Sequence, residues 1–226
     1  MNYLILLLLP HLAAATEMNE KCDRTREKAN SSFRAQVTQV SDGDTIVVKT
    51  EAKKIRRIRF LHIDTPETHY QGKTQGVAGD KAHERLLELL PIGSNVSVEF
   101  DDLPCDGYGR FLGRVIKDGR EINLQMVREG FAASLCFAPN LSRCEEYVQE
   151  SRRSFRSKDS VFTKYKAAIP HEFRVEQGGQ PEAPLVGSLK TRKVYPFARW
   201  KEIDGLDRVF FLKAEDVVAP YQLEKR

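Results

Sequence analysis

The chain has 226 residues, 41% of them apolar and 30% charged, with a formal net charge of +4. That length leaves room for one medium domain plus a small appendage, and the composition excludes a disordered or low-complexity chain. The positive excess has a location: residues 33–154 carry 18 basic and 18 acidic side chains, whereas 155–226 carry 14 basic and 10 acidic. A field of that size suits contact with a polyanion, though it serves solubility as well.

The first stretch, MNYLILLLLPHLAAATEM, has an apolar run from Tyr3 to Leu9, a break at Pro10 and then three alanines. This is the pattern of a signal peptide over residues 1–15, and it is too short for a membrane span. The n-region lacks Lys and Arg, which keeps an uncleaved anchor open as the alternative. The expectation is a secreted or periplasmic protein whose mature form starts near Thr16, with no stable membrane span. Export changes how the four cysteines read, because an even count in an oxidising compartment points to disulfides. Cys136 and Cys144 flank the short loop FAPNLSR and form the favoured pair, leaving Cys22 for Cys105. Buried free thiols are the blander alternative; the absence of a CxxC spacing speaks against zinc.

Residues 16–32 read as a polar lead-in. From Phe33, FRAQVTQV alternates with period two, TIVVKT is β-branched and KKIRRIRFLHI alternates again, which predicts three successive strands. A DGD turn joins the first two. GDKAHERLLELL predicts a helix over 79–90, with Ala82, Leu86, Leu89 and Leu90 on one face and Pro91-Ile92-Gly93 ending it. SNVSVEF is a fourth strand, and GYGRFLGRVIKDG carries a fifth that closes at the Asp118-Gly119 turn. EINLQMVREGFA predicts a short amphipathic helix stopped by Gly130, and LSRCEEYVQESRRSFRSK a longer polar one. The order of elements predicts an α+β fold: a five-stranded closed barrel of the OB type with three helices. After a stretch of linker composition, EQGGQPEAP, residues 185–226 predict a small module, a β-hairpin and then a short helix. Its basic residues mixed with Tyr195, Phe197 and Trp200 suit capture of single-stranded nucleic acid, which would leave 185–226 dispensable for chemistry. A packed appendage with those rings as core is the competing reading.

Four carboxylates stand out by position: Asp42 and Asp44 in VSDGDTIVVKT, Asp64 and Glu67 in HIDTPETHY. Each cluster lies where a predicted strand meets a turn, so folding can bring Asp44 and Asp64 together. Two carboxylates plus a backbone carbonyl, with water completing the shell, make a hard-cation site of the calcium type. Arg59 in the third strand and Arg110 at the start of the fifth could hold a phosphoryl group beside that cation. Glu67 is then the candidate general base. Strand geometry sets one condition: Arg59 and Asp64 have opposite parity, so the strand must bend or end between them. Taken singly, each residue has a plainer reading as a turn, a loop residue or a solvated basic face; their joint order is what points to a site.

The elements DGDTIVV, RIRFLHIDTPET, GYGRFLGRVI and MVREGFA, in this order along about residues 33–157, resemble the staphylococcal nuclease family. The resemblance implies a Ca²⁺-dependent phosphodiesterase acting on DNA and RNA. By matched position, Asp44, Asp64 and the Thr65 carbonyl correspond to calcium ligands, and Arg59, Glu67 and Arg110 to the catalytic residues. The implied reaction is attack of water near Glu67 on phosphorus, with the 5′-oxygen leaving and a 3′-phosphate remaining. Tyr108 and Phe137 are the implied nucleotide-binding aromatics, single strands the preferred substrate and a monomer the expected state. Departures are Leu135 and Phe137 where the family usually has tyrosines, and Gly107 in place of a lysine. The C-terminal segment resembles, more weakly, a small module appended to such nucleases, but lacks that module's cysteines. A catalytically inactive OB-fold module that binds nucleic acid is the rival, and such a module has no physical need of all five charged residues.

Overall fold

The computed structural model describes residues 18–181 and 183–224; the expected signal peptide lies outside them. After a short β1 (Met18–Glu20) come β2 (Ser32–Val40), β3 (Thr45–Thr50) and β4 (Lys54–Phe60), which pair antiparallel in succession. β5 (Ile63–Asp64) and α1 (Val77–Leu89) follow, then β6 (Asn95–Glu99), β7 (Phe111–Lys117) and a short β8 (Arg120–Glu121). β6 joins β2 to β7, and β7 runs parallel to β4 with Ile58 opposite Phe111 and Phe60 opposite Gly113, so five strands close on themselves. The alternation in the sequence explains the closure. Val37, Ile46, Val48, Ile58, Phe60, Val98, Phe111 and Val115 point inward and are buried, while their neighbours face outward.

Two features deviate from the predicted barrel. The third strand ends at Phe60, three residues early, because His62 takes a left-handed φ of 66° and turns the chain. β5 then pairs with β9 (Ala133–Ser134) rather than continuing β4. Asn123, fully buried at the start of α2 (Ile122–Arg128), holds this break together: its side chain donates to the Leu61 and Gly113 carbonyls and accepts from the Val115 N–H. α3 is shorter than its predicted 141–158 and runs Cys144–Ser154. At its start, Asn140 of the preceding turn is clamped to both backbone groups of Leu103.

Two helices beyond the barrel were not expected, α4 (Val161–Lys164) and α5 (Pro170–Glu176). Four and seven residues are too short to show a 3.6-residue period, and only Pro170 at the first helical position marks a start.

The C-terminal segment also differs from the predicted hairpin and helix. β11 (Leu185–Ser188) pairs with β12 (Lys193–Pro196) on one edge and with β13 (Arg208–Phe211) on the other. The expected helix is reduced to a single 3-10 turn at Ala214–Asp216, followed by a short β14 (Gln222–Leu223). β13 runs parallel to β10 (Cys136–Ala138), so the second sheet takes an edge strand from the chain just before α3. Phe197 and Trp200 are buried among Leu135, Val186, Ile203 and Phe210, which makes those rings core rather than a stacking platform. Both expected disulfides are formed, Cys22 with Cys105 at a Cα separation of 5.5 Å and Cys136 with Cys144 at 6.0 Å. Among the described residues no helix is long and apolar enough to cross a membrane.

α5 is fastened to this second sheet. Arg208 Nη1 lies 2.5 Å from Glu172 Oε1 and 2.8 Å from His171 Nε2, and the His171 ring stands edge-on to Phe210. Burial, with Arg208 and then Arg174 adding to it, pushes His171 down to about 3.

Two predictions follow from this packing. Truncation after Ala183 removes β13 from β10 and uncovers Leu135, Ala138 and Val148. A loss on the order of 5 kcal/mol should lower the thermal midpoint by roughly 10–20 °C or abolish soluble expression. An unchanged midpoint would show that 185–226 is an independent unit. His171 is neutral in the folded state and has a depressed pKa, so its contribution is whole above about pH 6.5 and is lost as pH falls toward about 3. Urea unfolding at pH 6.5 and 4.5 should show wild type losing about 2–3 kcal/mol more than His171→Gln. Equal losses would remove His171 as the acid-sensitive group.

Candidate active site

The acidic clusters meet at one mouth of the barrel. The β2–β3 turn brings Asp42 and Asp44 there, the end of β4 brings Arg59, and β5 with its following loop brings Asp64, Thr65 and Glu67. The turn is built by its own aspartates: Asp42 Oδ1 accepts from the Asp44 N–H at 3.0 Å, the local bond that favours Asp in such turns. Gly43 is required by contact rather than by φ, since a Cβ there would sit 2.7 Å from Thr65 Oγ1 and 2.8 Å from Thr65 Cβ. Across that gap Asp44 Oδ2 accepts from both the Thr65 N–H (2.9 Å) and Thr65 Oγ1 (3.0 Å).

The break after Phe60 resolves the parity conflict. With His62 turning the chain, Asp64 comes round to the face where Arg59 emerges. Arg59 Nη2 lies 2.9 Å from Asp64 Oδ1 and 3.2 Å from Asp44 Oδ2, and its Nη1 donates to the Phe60 and Ile63 carbonyls. One guanidinium therefore fixes both carboxylates and the turn between them. Burial works to raise Asp44, but Arg59 and the Thr65 N–H outweigh it, so Asp44 stays below the ordinary carboxylate range. Asp42 and Glu67 are less well compensated. Burial and then the charge of Asp44 push Asp42 up to about 6, and burial pushes Glu67 up to about 7 against the pull of Arg174.

Glu67 is held by its neighbours in the loop before α1. Its N–H donates to Gln75 Oε1 at 3.0 Å, and its carbonyl accepts from the Gln75 N–H and Thr74 Oγ1. Gln75 Nε2 in turn reaches the Ala168 carbonyl just ahead of α5.

Sequence reasoning missed one member of this group. Arg174, on α5, places Nη2 2.8 Å from Asp64 Oδ2 and Nη1 3.2 Å from Asp64 Oδ1, and Nη1 also pairs with Glu67 Oε1. No motif surrounds it, and a lone arginine after an unrecognised helix gives no signal. Pro170 and the Gly178-Gly179 stop were the only markers of the helix that delivers it.

The remaining candidates lie apart from this cluster. Arg110 pairs with Asp106 at 2.5 Å and rests its guanidinium 5.5 Å from the Tyr108 ring, at the rim but within reach of Asp44's charge. Tyr108 is 85% exposed, as a ring that stacks on a base needs to be. Phe137 does not fit that role: it is half-buried and stacks on Phe210 at 5.1 Å between ring centroids, because β10 belongs to the second sheet. Leu135 is buried in the same core. His62 lies near Cys136 and Cys144, but those sulfurs are joined to one another and offer no metal ligand.

The donor set fits a hard divalent cation. Among the described residues, the four formal negative charges of Asp42, Asp44, Asp64 and Glu67 face Arg59 and Arg174 in direct contact and Arg110 farther out, so the largely buried site keeps a formal negative excess. Carboxylates with a neighbouring backbone carbonyl at Thr65 are oxygen ligands of the kind calcium takes. Among the described residues, no three of these carboxylates converge to within 4.8 Å, since the two guanidinium groups stand between them.

Known proteins share sequence with much of this chain. Residues 57–158 match the model of the staphylococcal nuclease homologue family. The chain is 29% identical over 226 residues to endonuclease YhcR of Bacillus subtilis, covering 95% of this chain and 18% of that protein. Endonuclease YncB of Bacillus subtilis is 32% identical over 125 residues, covering 54% of this chain and 58% of that one. The thermonuclease of Staphylococcus hyicus is 28% identical over 127 residues, covering 56% and 74%. The chain thus spans under a fifth of YhcR and somewhat over half of YncB. The closed barrel and the family model matched over residues 57–158 together show that the chain carries a staphylococcal-nuclease-like domain.

Proposed function

We propose that this chain is a calcium-dependent phosphodiesterase that hydrolyses DNA and RNA outside the cytoplasm, as a monomer, prefers single strands and leaves 3′-phosphates. The observation that carries this reading is the buried cluster of Asp42, Asp44, Asp64 and Glu67, whose formal charge the neighbouring arginines do not fully balance. A cluster in that state favours uptake of a dication, and the nuclease names of the relatives support nucleic acid as substrate. On this reading Asp44, Asp64 and the Thr65 carbonyl hold Ca²⁺, which when bound polarises a phosphoryl oxygen and a water.

The chain's own groups divide the rest of the work. Arg59 keeps Asp44 and Asp64 at fixed spacing and faces the phosphoryl oxygens, where negative charge accumulates in the transition state. Arg110, paired with Asp106 and resting on Tyr108 at the rim, is placed to swing onto the same phosphate with a bidentate fork. Glu67 accepts the proton of the attacking water at its carboxylate, in line with departure of the 5′-oxygen. A base whose affinity for protons lies near neutrality is suited to that task. Tyr108 offers an exposed ring for a base.

Cleavage of single-stranded DNA should require Ca²⁺ and stop in chelator, with Mg²⁺ a poor substitute because it demands tighter octahedral geometry and holds its water. Equal rates in calcium and chelator would refute the metal-dependent reading. No cleavage under any condition would favour the inactive binding module.

Glu67→Gln, Arg59→Lys and Arg110→Lys should each lower turnover by about 10²-fold or more, since each removes one positioned charge or fork from the transition state. The rates are to be measured on variants whose circular dichroism matches wild type. Near-wild-type turnover in any of the three would remove that residue from the catalytic set.

A further inference from the structure

The arginine that sequence reading missed occupies an awkward place. Arg174 donates to both oxygens of Asp64 and to Glu67, and Arg59 already donates to Asp64 Oδ1. Asp64 is 1% exposed, and the Arg174 side chain only 14%. With Oδ1 accepting from both guanidinium groups and Oδ2 from Arg174, most of the carboxylate's lone-pair sites are already engaged, and Asp64 has less to offer a metal ion. A guanidinium and a dication sharing one low-dielectric pocket also repel each other.

The backbone that carries Arg174 is firmly placed. Glu172 and His171 tie α5 to Arg208, and Gln75 ties the preceding segment to the Glu67 loop. Just past the helix the packing is tight enough that a Cβ on Gly179 would lie 2.7 Å from the Arg174 carbonyl and 2.2 Å from Tyr70 Oη. The helix is thus held against both the site loop and the second sheet, and movement of Arg174 is movement of its side chain. The residue lies on α5, outside the five barrel strands that carry or adjoin the carboxylates.

We propose that Arg174 is a resident counter-ion of the metal site: it compensates Asp64 and Glu67 while no cation is bound, competes with the cation for Asp64, and so sets the affinity for it. The proposal rests on the metal-dependent reading above. It assigns α5 a role in tuning the site, as a positioning element and not as a catalytic one.

The test is calcium binding by calorimetry on the full chain after treatment with chelator, comparing wild type with Arg174→Ala and Arg174→Lys. Removing the competing charge should tighten Ca²⁺ binding by about 10-fold or more, with the lysine variant between the two because it keeps the charge and loses the fork. In chelator, Arg174→Ala should melt below wild type, and added Ca²⁺ should raise its midpoint by more than it raises wild type's. Glu172→Gln, which loosens α5 without touching the carboxylates, should shift affinity in the same direction and serves if Arg174→Ala does not fold. If wild type binds Ca²⁺ and the folded variants bind no tighter, Arg174 is only a structural tie and the proposal falls alone. If neither wild type nor variants bind Ca²⁺, the metal-dependent reading falls and takes the proposal with it.

Discussion

A carboxylate cut off from water must have its charge met, and Asp64 at 1% exposure is the group that imposes this on the fold. Leaving such a charge unpaired costs several kcal/mol, comparable to a large part of a domain's net stability. The surroundings of Asp64 can be read as answers to that demand. β4 stops at Phe60 so that Arg59 and Asp64 share a face, and Gly43 lets Thr65 come close enough to tie Asp44 into the same group. The compensation stays incomplete, as Asp42 and Glu67 show by holding protons more tightly than ordinary carboxylates. An incompletely compensated acidic pocket is poised to take up a cation, whereas a fully neutralised one would be inert.

The second sheet makes the chain more integrated than a barrel with an appended module. β10 lies between β9, which pairs with the Asp64 strand, and α3, whose first residue is disulfide-bonded to Cys136. By pairing with β13 it links the strand beside the site to residues more than seventy positions on. The same sheet anchors α5 through Arg208. Phe197 and Trp200 of the C-terminal segment contribute to this structural work, so that on the proposed reading the surface offered to nucleic acid is the barrel mouth with Tyr108 and Arg110.

The parts legible in the sequence were those governed by local rules. Period-two alternation identified the barrel strands, and the spacing of Ala82, Leu86 and Leu90 identified α1 to within two residues. Asp44, Asp64 and Glu67 were visible because carboxylates at strand ends are anomalous, and the parity of Arg59 and Asp64 already required the break that His62 makes. What remained hidden depends on distant partners. A parallel pairing such as β10 with β13 leaves no local pattern, so Phe137 read as a stacking ring when it is packed against Phe210. α5 is seven residues long, and its arginine acquires meaning only when folding brings it to Asp64.

The pairing of β10 with β13 also bears on the order in which the chain can assemble. All five barrel strands have been synthesised by Lys117, and with them Asp44, Arg59, Asp64 and Glu67. Arg174 follows much later, and the ladder between Ala138 and Phe211 later still. A contact of such long sequence separation is entropically expensive to form and tends to come late. A chain synthesised past β10 but not yet through α5 has Arg59 beside its carboxylates and no Arg174, and it lacks the strand that covers β10. On the proposed reading, a divalent cation reaching the pocket at that point would meet the Arg59 guanidinium alone and not that of Arg174 as well.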